Sequence, residues 1–258
     1  MYCSTKLAVD EIYTALRRAR IPCTRYHGGM KKDERVTEQG KFMRDGWRSV
    51  MVATSAFGMG IDKPDIRYIM HYQVPASPEQ YVQEAGRAGR DGRPSHCILL
   101  YDYKDLDIQE YLQTRSRPSG PQLKRVAKAL AVWAEDEQAV DAQALALSAQ
   151  VPITTARSMC AQLEEGGLIE KERGKGYVAL VDPKTLEAGA RDLAKRFETE
   201  RREDARRLRA MSEYADTEGC RSVFLREWFG DENPPPCGNC DRCLEDMEDD
   251  GERKPRRS

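Results

Sequence analysis

The chain has 258 residues, 40% hydrophobic and 33% charged, with a formal net charge of −1 and a pI near 6.4. That length suits one to three domains. It excludes a membrane-spanning reading, since no apolar run nears the roughly 20 residues a span requires. It also excludes a secretion leader at Met1-Tyr2-Cys3-Ser4 and a globally basic nucleic-acid binder. The charge is uneven, however. Residues 1–120 hold 19 Lys and Arg against 15 Asp and Glu, a net of +4, leaving −5 for the rest, so the front portion is the better phosphate partner.

Residues 1–115 alternate helical and strand patterns. Lys6 to Ala19 is predicted as a helix on the apolar stripe of Leu7, Ile12, Ala15, Leu16 and Ala19, and Asp33 to Met43 as another. Short apolar runs at Ser49–Ala53, Tyr68–Tyr72 and Cys97–Tyr101 lie between helices, with a strand stub at Met1–Cys3. Such alternation predicts a parallel sheet covered on both faces. A strand beginning at Met1 suggests a chain that starts partway through a longer protein. Arg115 to Pro121 is expected to be a linker. Three helices follow over Gln122–Ala134, Asp141–Ala149 and Ile153–Glu165, with Val151-Pro152 turning between the last two. Two short strands then flank Arg173-Gly174-Lys175-Gly176. This is a winged-helix pattern over residues 121–181, in which Arg157, Arg173 and Lys175 are candidate DNA contacts. A long charged helix is expected over Pro183–Tyr214, with one break allowed, and a shorter one over Cys220–Phe229. Pro234-Pro235-Pro236 ends regular structure, and residues 246–258 are read as a disordered tail.

Eight cysteines divide into two groups. Cys3, Cys23, Cys97 and Cys160 follow no pattern and are expected as small core residues. Cys220, Cys237, Cys240 and Cys243 have sixteen, two and two residues between them. Four thiolates satisfy tetrahedral zinc and leave no open position, so this cluster predicts a structural metal within residues 183–245. Nearby Arg221 and Arg226 remain free to face DNA.

Two stretches carry more specific chemistry. Val52-Ala53-Thr54-Ser55-Ala56-Phe57-Gly58-Met59-Gly60-Ile61-Asp62-Lys63-Pro64 is a buried strand ending in hydroxyls and glycines. Its glycines allow close backbone approach to phosphate or ribose, while Thr54 and Ser55 can bond a nucleic-acid backbone without reading sequence. A tight turn capped by Asp62 is the plainer alternative. In Gln80-Tyr81-Val82-Gln83-Glu84-Ala85-Gly86-Arg87-Ala88-Gly89-Arg90-Asp91-Gly92, the residues Gln83, Arg87 and Arg90 stand four and three apart, the spacing of one helix face. Guanidinium groups so placed can stabilise charge on a transferring phosphoryl group.

These stretches resemble motifs V and VI of superfamily 2 helicases, in the variants of the RecQ family. Tyr2-Cys3-Ser4-Thr5 resembles the family's motif IV, and Tyr26-His27-Gly28-Gly29-Met30 a segment after its second strand. The cysteine spacing, with Tyr214 before it and Trp228-Phe229-Gly230 after Cys220, resembles its zinc module. The resemblance covers residues 1–115 and about 205–245. It implies an α/β fold: a second RecA-like parallel-sheet domain followed by a winged-helix domain and a helical zinc-binding module.

By the same resemblance, Arg90 is the arginine finger and Arg87 a second phosphate contact. Gln83 couples nucleotide to DNA, Gly60 and Asp62 border the nucleotide cleft, and His27, Thr54 and Ser55 lie near the DNA backbone. The implied whole is an ATP-dependent 3′-to-5′ DNA helicase of repair or recombination. It would be cytoplasmic and nucleoid-associated, monomeric, and acting at single-strand/duplex junctions.

Two departures qualify this. No G-K-[ST] loop and no acidic box occur in the sequence, so ATP and magnesium are expected only with the first motor domain, and this chain alone is expected to be inactive. The winged-helix pattern also precedes the zinc cysteines, where the best-known members place it after them. Two alternatives follow: a non-enzymatic winged-helix and zinc DNA-binding protein with a relic motor domain, or a subunit that pairs with a separately encoded first half.

Overall fold

A computed structural model describes residues 1–45, 49–58, 61–116, 119–135 and 138–252, with the side chains of 115, 116 and 249–252 left out. The chain divides into two units, residues 1–110 with 206–258 and residues 111–205.

The first unit is built on a parallel sheet. Strand β1 (Cys23–Tyr26) pairs with β2 (Val50–Ala53), and β3 (Tyr68–His71) with β4 (His96–Leu99). The N-terminal stub joins the two pairs. Tyr2 bridges Ala53 on one side and His71 on the other, both in parallel, with Tyr2 N–H donating to Met70 O at 2.7 Å and Cys3 N–H to Ala53 O at 2.8 Å. The order is therefore β1, β2, stub, β3, β4. Alternation along β2 explains the two-sided cover. Val50 and Val52 pack with Cys3, Ala8, Val9, Ile12 and Leu16 under helix α1 (Lys6–Arg18). Met51 and Ala53 face the other way, onto Phe42 of α2 (Lys32–Arg44) and onto Phe57 and Ile61. Thr5 caps α1 by accepting from Ala8 N–H at 3.1 Å.

Helix α3 (Pro78–Ala85) starts at Ser77, whose hydroxyl accepts from Gln80 N–H at 3.1 Å, with Pro78 in the first turn. Helix α4 (Lys104–Ser116) leads out of the unit. Most of the expected linker is thus helical, Arg115 and Ser116 at the end of α4 and Gly120 and Pro121 at the start of the next helix, and Arg117 and Pro118 lie outside the described residues.

The second unit has the predicted winged-helix order. Helices α5 (Gly120–Glu135), α6 (Ala142–Ala149) and α7 (Ile153–Glu165) precede a hairpin of β5 (Ile169–Glu172) and β6 (Gly176–Ala179). Val140 bridges Tyr177 and adds a third, one-residue strand. The core contains Leu123, Val126, Leu130, Leu145, Met159, Leu163 and Ile169. Gly176 is required here. It has φ +118°, and an added Cβ would stand 2.2 Å from Val140 O, in the backbone of that bridge. Gly176→Ala is expected to destabilise this unit by roughly 2–3 kcal/mol, read as a lower thermal midpoint. An unchanged midpoint would mean that the bridge is not formed.

Helix α8 (Pro183–Asp216) runs unbroken for 34 residues, so the break allowed from sequence does not occur. Pairs such as Glu198–Arg202 at 3.4 Å and Arg209–Glu213 at 3.0 Å line its polar surface at i,i+4, each worth about 0.3–0.5 kcal/mol. Its early residues Leu186, Ala190, Ala194 and Phe197 belong to the second unit's core. Its late residues Met211 and Tyr214 belong to the first unit's, with Val74, Tyr81, Leu99 and Tyr101. Helices α9 (Arg221–Trp228) and α10 (Asp241–Glu252) complete the first unit. The stretch from residue 246, expected to be irregular, thus begins as helix, and residues 253–258 lie outside the described residues. Among the described residues, no helix is long and apolar enough to cross a membrane.

Candidate motor face and metal centre

The loop after β2 and the turn after α3 meet. Arg87 Nη1 donates to Gly58 O at 2.6 Å, and Arg90 Nη1 to Asp62 Oδ1 at 3.0 Å. Each half of the arginine motif is therefore held by the glycine-rich stretch almost thirty residues earlier. The two arginines do not lie on a helix, as their spacing suggested. Helix α3 ends at Ala85, and Arg87 and Arg90 stand in the turns that follow. Glycine is the reason. Gly89 takes φ +62° and donates to Ile66 O at 2.9 Å, and a Cβ there would meet Ser95 Oγ at 2.7 Å. The turn points Arg90 outward, exposed, and leaves Arg87 half-buried. Arg87 Nε is buried with no hydrogen-bond partner among the described residues. Arg87 also reaches the Tyr2 phenol, whose pKa is pushed up to about 12, chiefly by burial and the nearby Glu84, against the lowering pull of Arg87.

Gln83 is exposed on α3, and Asp62 is exposed beyond Ile61. Gly60 lies outside the described residues. Thr54 and Ser55 follow the last residue of β2, half-buried and exposed respectively. His27 follows the last residue of β1, and because Tyr26 pairs with Ala53, His27 and Thr54 share the carboxyl edge of the sheet. His27 is only 7% exposed. Its Nδ1 accepts from Gly29 N–H at 3.1 Å, which leaves Nε2 to donate to Asp10 Oδ1 at 3.3 Å. In this arrangement both ring nitrogens of His27 are used locally, by Gly29 and Asp10, and it stands at the same sheet edge as Thr54.

Sequence reasoning missed one buried pair. His71 Nε2 lies 2.8 Å from Glu84 Oε2, with side chains 1% and 5% exposed, and Gln80 Nε2 donates to Glu84 Oε1 at 3.1 Å. The pair ties α3 to β3. His71 reads from sequence as one residue in an apolar strand, and Glu84 as one letter in a motif; nothing in their separation signals contact.

In the second unit, Arg157 on α7 and Arg173 and Lys175 in the hairpin turn are all exposed. Lys175 pairs with Glu172 at 3.0 Å.

The four clustered cysteines converge, with all sulfur atoms within 4.8 Å of one another. Cys220 Sγ is 3.5 Å from Cys237 Sγ and 3.9 Å from Cys240 Sγ. Tetrahedral zinc with bonds of about 2.3 Å needs sulfurs about 3.8 Å apart, so the donor set fits the ion. Gly238, at φ +70°, makes the turn within the closely spaced cysteines. Burial raises the Cys220 thiol, yet the Cys237 and Val223 backbone N–H groups and neighbouring thiols lower it. The Cys243 thiol, against the lowering pull of the Gly238 backbone, is raised by burial and the same neighbours, so the sulfurs share their protons as one cluster. Of the other cysteines, Cys3, Cys23 and Cys160 are buried as expected, whereas Cys97 on β4 is exposed.

Known proteins match the same two regions. The helicase conserved C-terminal domain family matches residues 1–92, and the RecQ zinc-binding family residues 183–244. The ATP-dependent DNA helicase RecQ of Bacillus subtilis (strain 168) is 30% identical over 245 residues, 95% of this chain and 28% of its own length. The ATP-dependent helicase wrn-1 of Caenorhabditis elegans is 49% identical over 111 residues, 43% of this chain and 10% of its own. The helicase SGS1 of Saccharomyces cerevisiae is 44% identical over 106 residues, 41% and 7% respectively. The chain thus spans about a quarter or less of the length of these relatives.

Proposed function

We propose, from the matches to the helicase conserved C-terminal domain over residues 1–92 and to the RecQ zinc-binding family over residues 183–244, that this chain is the ATP-sensing and DNA-tracking half of a RecQ-type ATP-dependent DNA helicase. The observation that carries this reading is the paired grip of Arg87 on Gly58 and Arg90 on Asp62. The loop that holds the arginines is the same loop that begins at Thr54 and Ser55. A change at the nucleotide is therefore felt within eight residues at the surface offered to DNA.

In the working machine, ATP and magnesium are held by a first motor domain carrying the G-K-[ST] loop. Cleft closure brings Arg90 from Asp62 onto the γ-phosphate, with Arg87 beside it. Hydrolysis removes that anion, Arg90 returns to Asp62, and the Thr54–Ser55 loop shifts along one strand. Translocation is 3′ to 5′ on a single strand next to a duplex, by a monomer. Asp62 borders the nucleotide, and Gln83 lies between nucleotide and DNA. Arg157, Arg173 and Lys175 add contacts to the duplex backbone.

The test is reconstitution. The chain alone gives no ATP hydrolysis; joined to its first motor domain, it gives turnover that rises with single-stranded DNA. Turnover that ignores DNA overturns the reading. DNA binding by the chain alone is sequence-independent and salt-sensitive. Replacing Arg173 and Lys175 together with alanine is expected to lower the slope of log affinity against log salt by about 1–2, measured by fluorescence anisotropy on a forked duplex. An unchanged slope removes the hairpin from the interface.

A further inference from the structure

The four-cysteine module and α3 are joined by a continuous run of contacts, exposed at its module end and buried from Tyr214 through Tyr81 to His71 and Glu84. Arg221, next to Cys220, bonds both carboxylate oxygens of Asp241, next to Cys240, at 3.0 and 3.1 Å. The same guanidinium donates to the carbonyls of Tyr214 and Ala215 and lies 5.5 Å over the Tyr214 ring. The Tyr214 hydroxyl donates to the Tyr81 hydroxyl at 3.1 Å, their rings 5.1 Å apart. Tyr81 in turn packs 5.0 Å from the His71 ring, and His71 holds Glu84. A second connection reaches the start of α3. Trp228 Nε1 donates to Glu79 Oε1 at 3.0 Å, Arg206 covers the Trp228 ring at 4.4 Å, and Arg207 pairs with Glu79 at 3.8 Å.

Helix α3 has eight residues, fewer than the roughly 12–15 at which isolated helices become even marginal in water. Its order must come from tertiary contacts. The module and the end of α8 supply them at its first turn, through Glu79, and at its middle, through Tyr81. The sheet supplies the last turn, through Glu84. Arg87 follows two residues after the helix ends. We infer that the metal-held module is a brace for α3, the helix that leads into the arginine-bearing turns, with Tyr214 and Trp228 as positioning residues that act on Arg87 and Arg90 through α3. The metal thereby keeps its own loop folded and also sets where the arginines stand.

The inference rests on the helicase reading only for what the arginines do, and its test needs no ATP. Hydrogen exchange is measured on the full chain, zinc-loaded and after chelation. Amides of residues 78–92 are expected to exchange at least about tenfold faster without metal, while those of β1 and β2 keep their protection. If α3 stays protected while the cysteine segment opens, the brace does not exist. If β1 and β2 open equally, the metal supports the whole unit and the inference fails as well.

Milder variants avoid unfolding. Tyr214→Phe and Tyr81→Phe each keep the ring and lose the hydroxyl pair. Each is expected to speed α3 exchange about five- to tenfold with zinc content unchanged, and the double variant no further than either single one. Additive effects would overturn the link. The Arg87 Nε–H signal in a nitrogen-15 NMR spectrum gives a separate readout: it is expected to shift in Tyr214→Phe, and an unmoved signal would show that the hydroxyl pair does not reach the arginine. Failure of these tests leaves the helicase reading intact, since reconstituted turnover decides that separately.

Discussion

Cys237→Ser is expected to lower zinc affinity by more than about a hundredfold, reducing bound metal from one ion per chain to a small fraction of that. Second-sphere partners of metal sites already account for 10- to 100-fold, and a thiolate ligand contributes more. In a site with four sulfurs within 4.8 Å of one another, losing one leaves three thiolates to crowd together without their shared counter-charge. Structural zinc contributes on the order of 10 kcal/mol to small metal-folded modules, so α9, α10 and the turn at Gly238 should lose protection together. Metal released on thiol titration measures the first effect, and thermal unfolding the second. Cys160→Ser is the control. Its thiol is pushed up to about 12 by burial, with Glu164 adding to the effect, so it remains a neutral core group. That variant should destabilise the second unit yet keep full metal. Equal zinc in Cys237→Ser and the unaltered chain would exclude the cysteine cluster as the site.

What could be read from the sequence was what is local. The metal ligands were legible because three of them occupy seven consecutive residues, and the winged helix because helix periods and a glycine-rich turn follow one another directly. The strands were legible as apolar runs, and the stub at Tyr2 was seen, though nothing in three residues shows that it joins two strand pairs at the middle of the sheet. The long-range pairs were not legible. Arg90 finds Asp62 at a separation of 28 residues, His71 finds Glu84, and Tyr214 finds Tyr81 at 133. The sequence places Tyr214 just before the cysteines but gives no sign of its partner Tyr81. The spacing of four and three at Gln83, Arg87 and Arg90 suggests a helix face, but Gly86 and Gly89 stand inside it, and glycine at a helix end is the stronger signal. His27 shows a further difficulty. Its family-like surroundings suggest a place near the DNA backbone, and nothing in the sequence shows its burial or its bonds to Gly29 and Asp10.

The arginine pair yields the other large effect. Arg90→Ala, in the chain joined to its first motor domain, is expected to cut DNA-stimulated ATP turnover by about 10³–10⁵-fold, the range for an arginine that meets transition-state charge on a phosphoryl group. DNA affinity should stay within about twofold, because Arg90 is held by Asp62 and Ile61 O, eight and seven residues along the loop from Thr54. Arg90→Lys should restore little, since an ammonium cannot reproduce the planar fork. Asp62→Asn separates two explanations of a loss. It removes the charge that holds Arg90 without touching Arg90 itself. If the salt bridge only parks the arginine between cycles, turnover in Asp62→Asn should fall far less than in Arg90→Ala. If Asp62 is what orients the guanidinium in the closed cleft, the two variants should fall together. Arg87→Ala is expected to be as damaging in turnover and also to lower stability, because Arg87 is half-buried against Gly58 and Tyr2 and its removal leaves a gap and an unpaired carbonyl. Retained turnover in Arg90→Ala would remove Arg90 from the transition state and leave Arg87 as the residue that meets the phosphate.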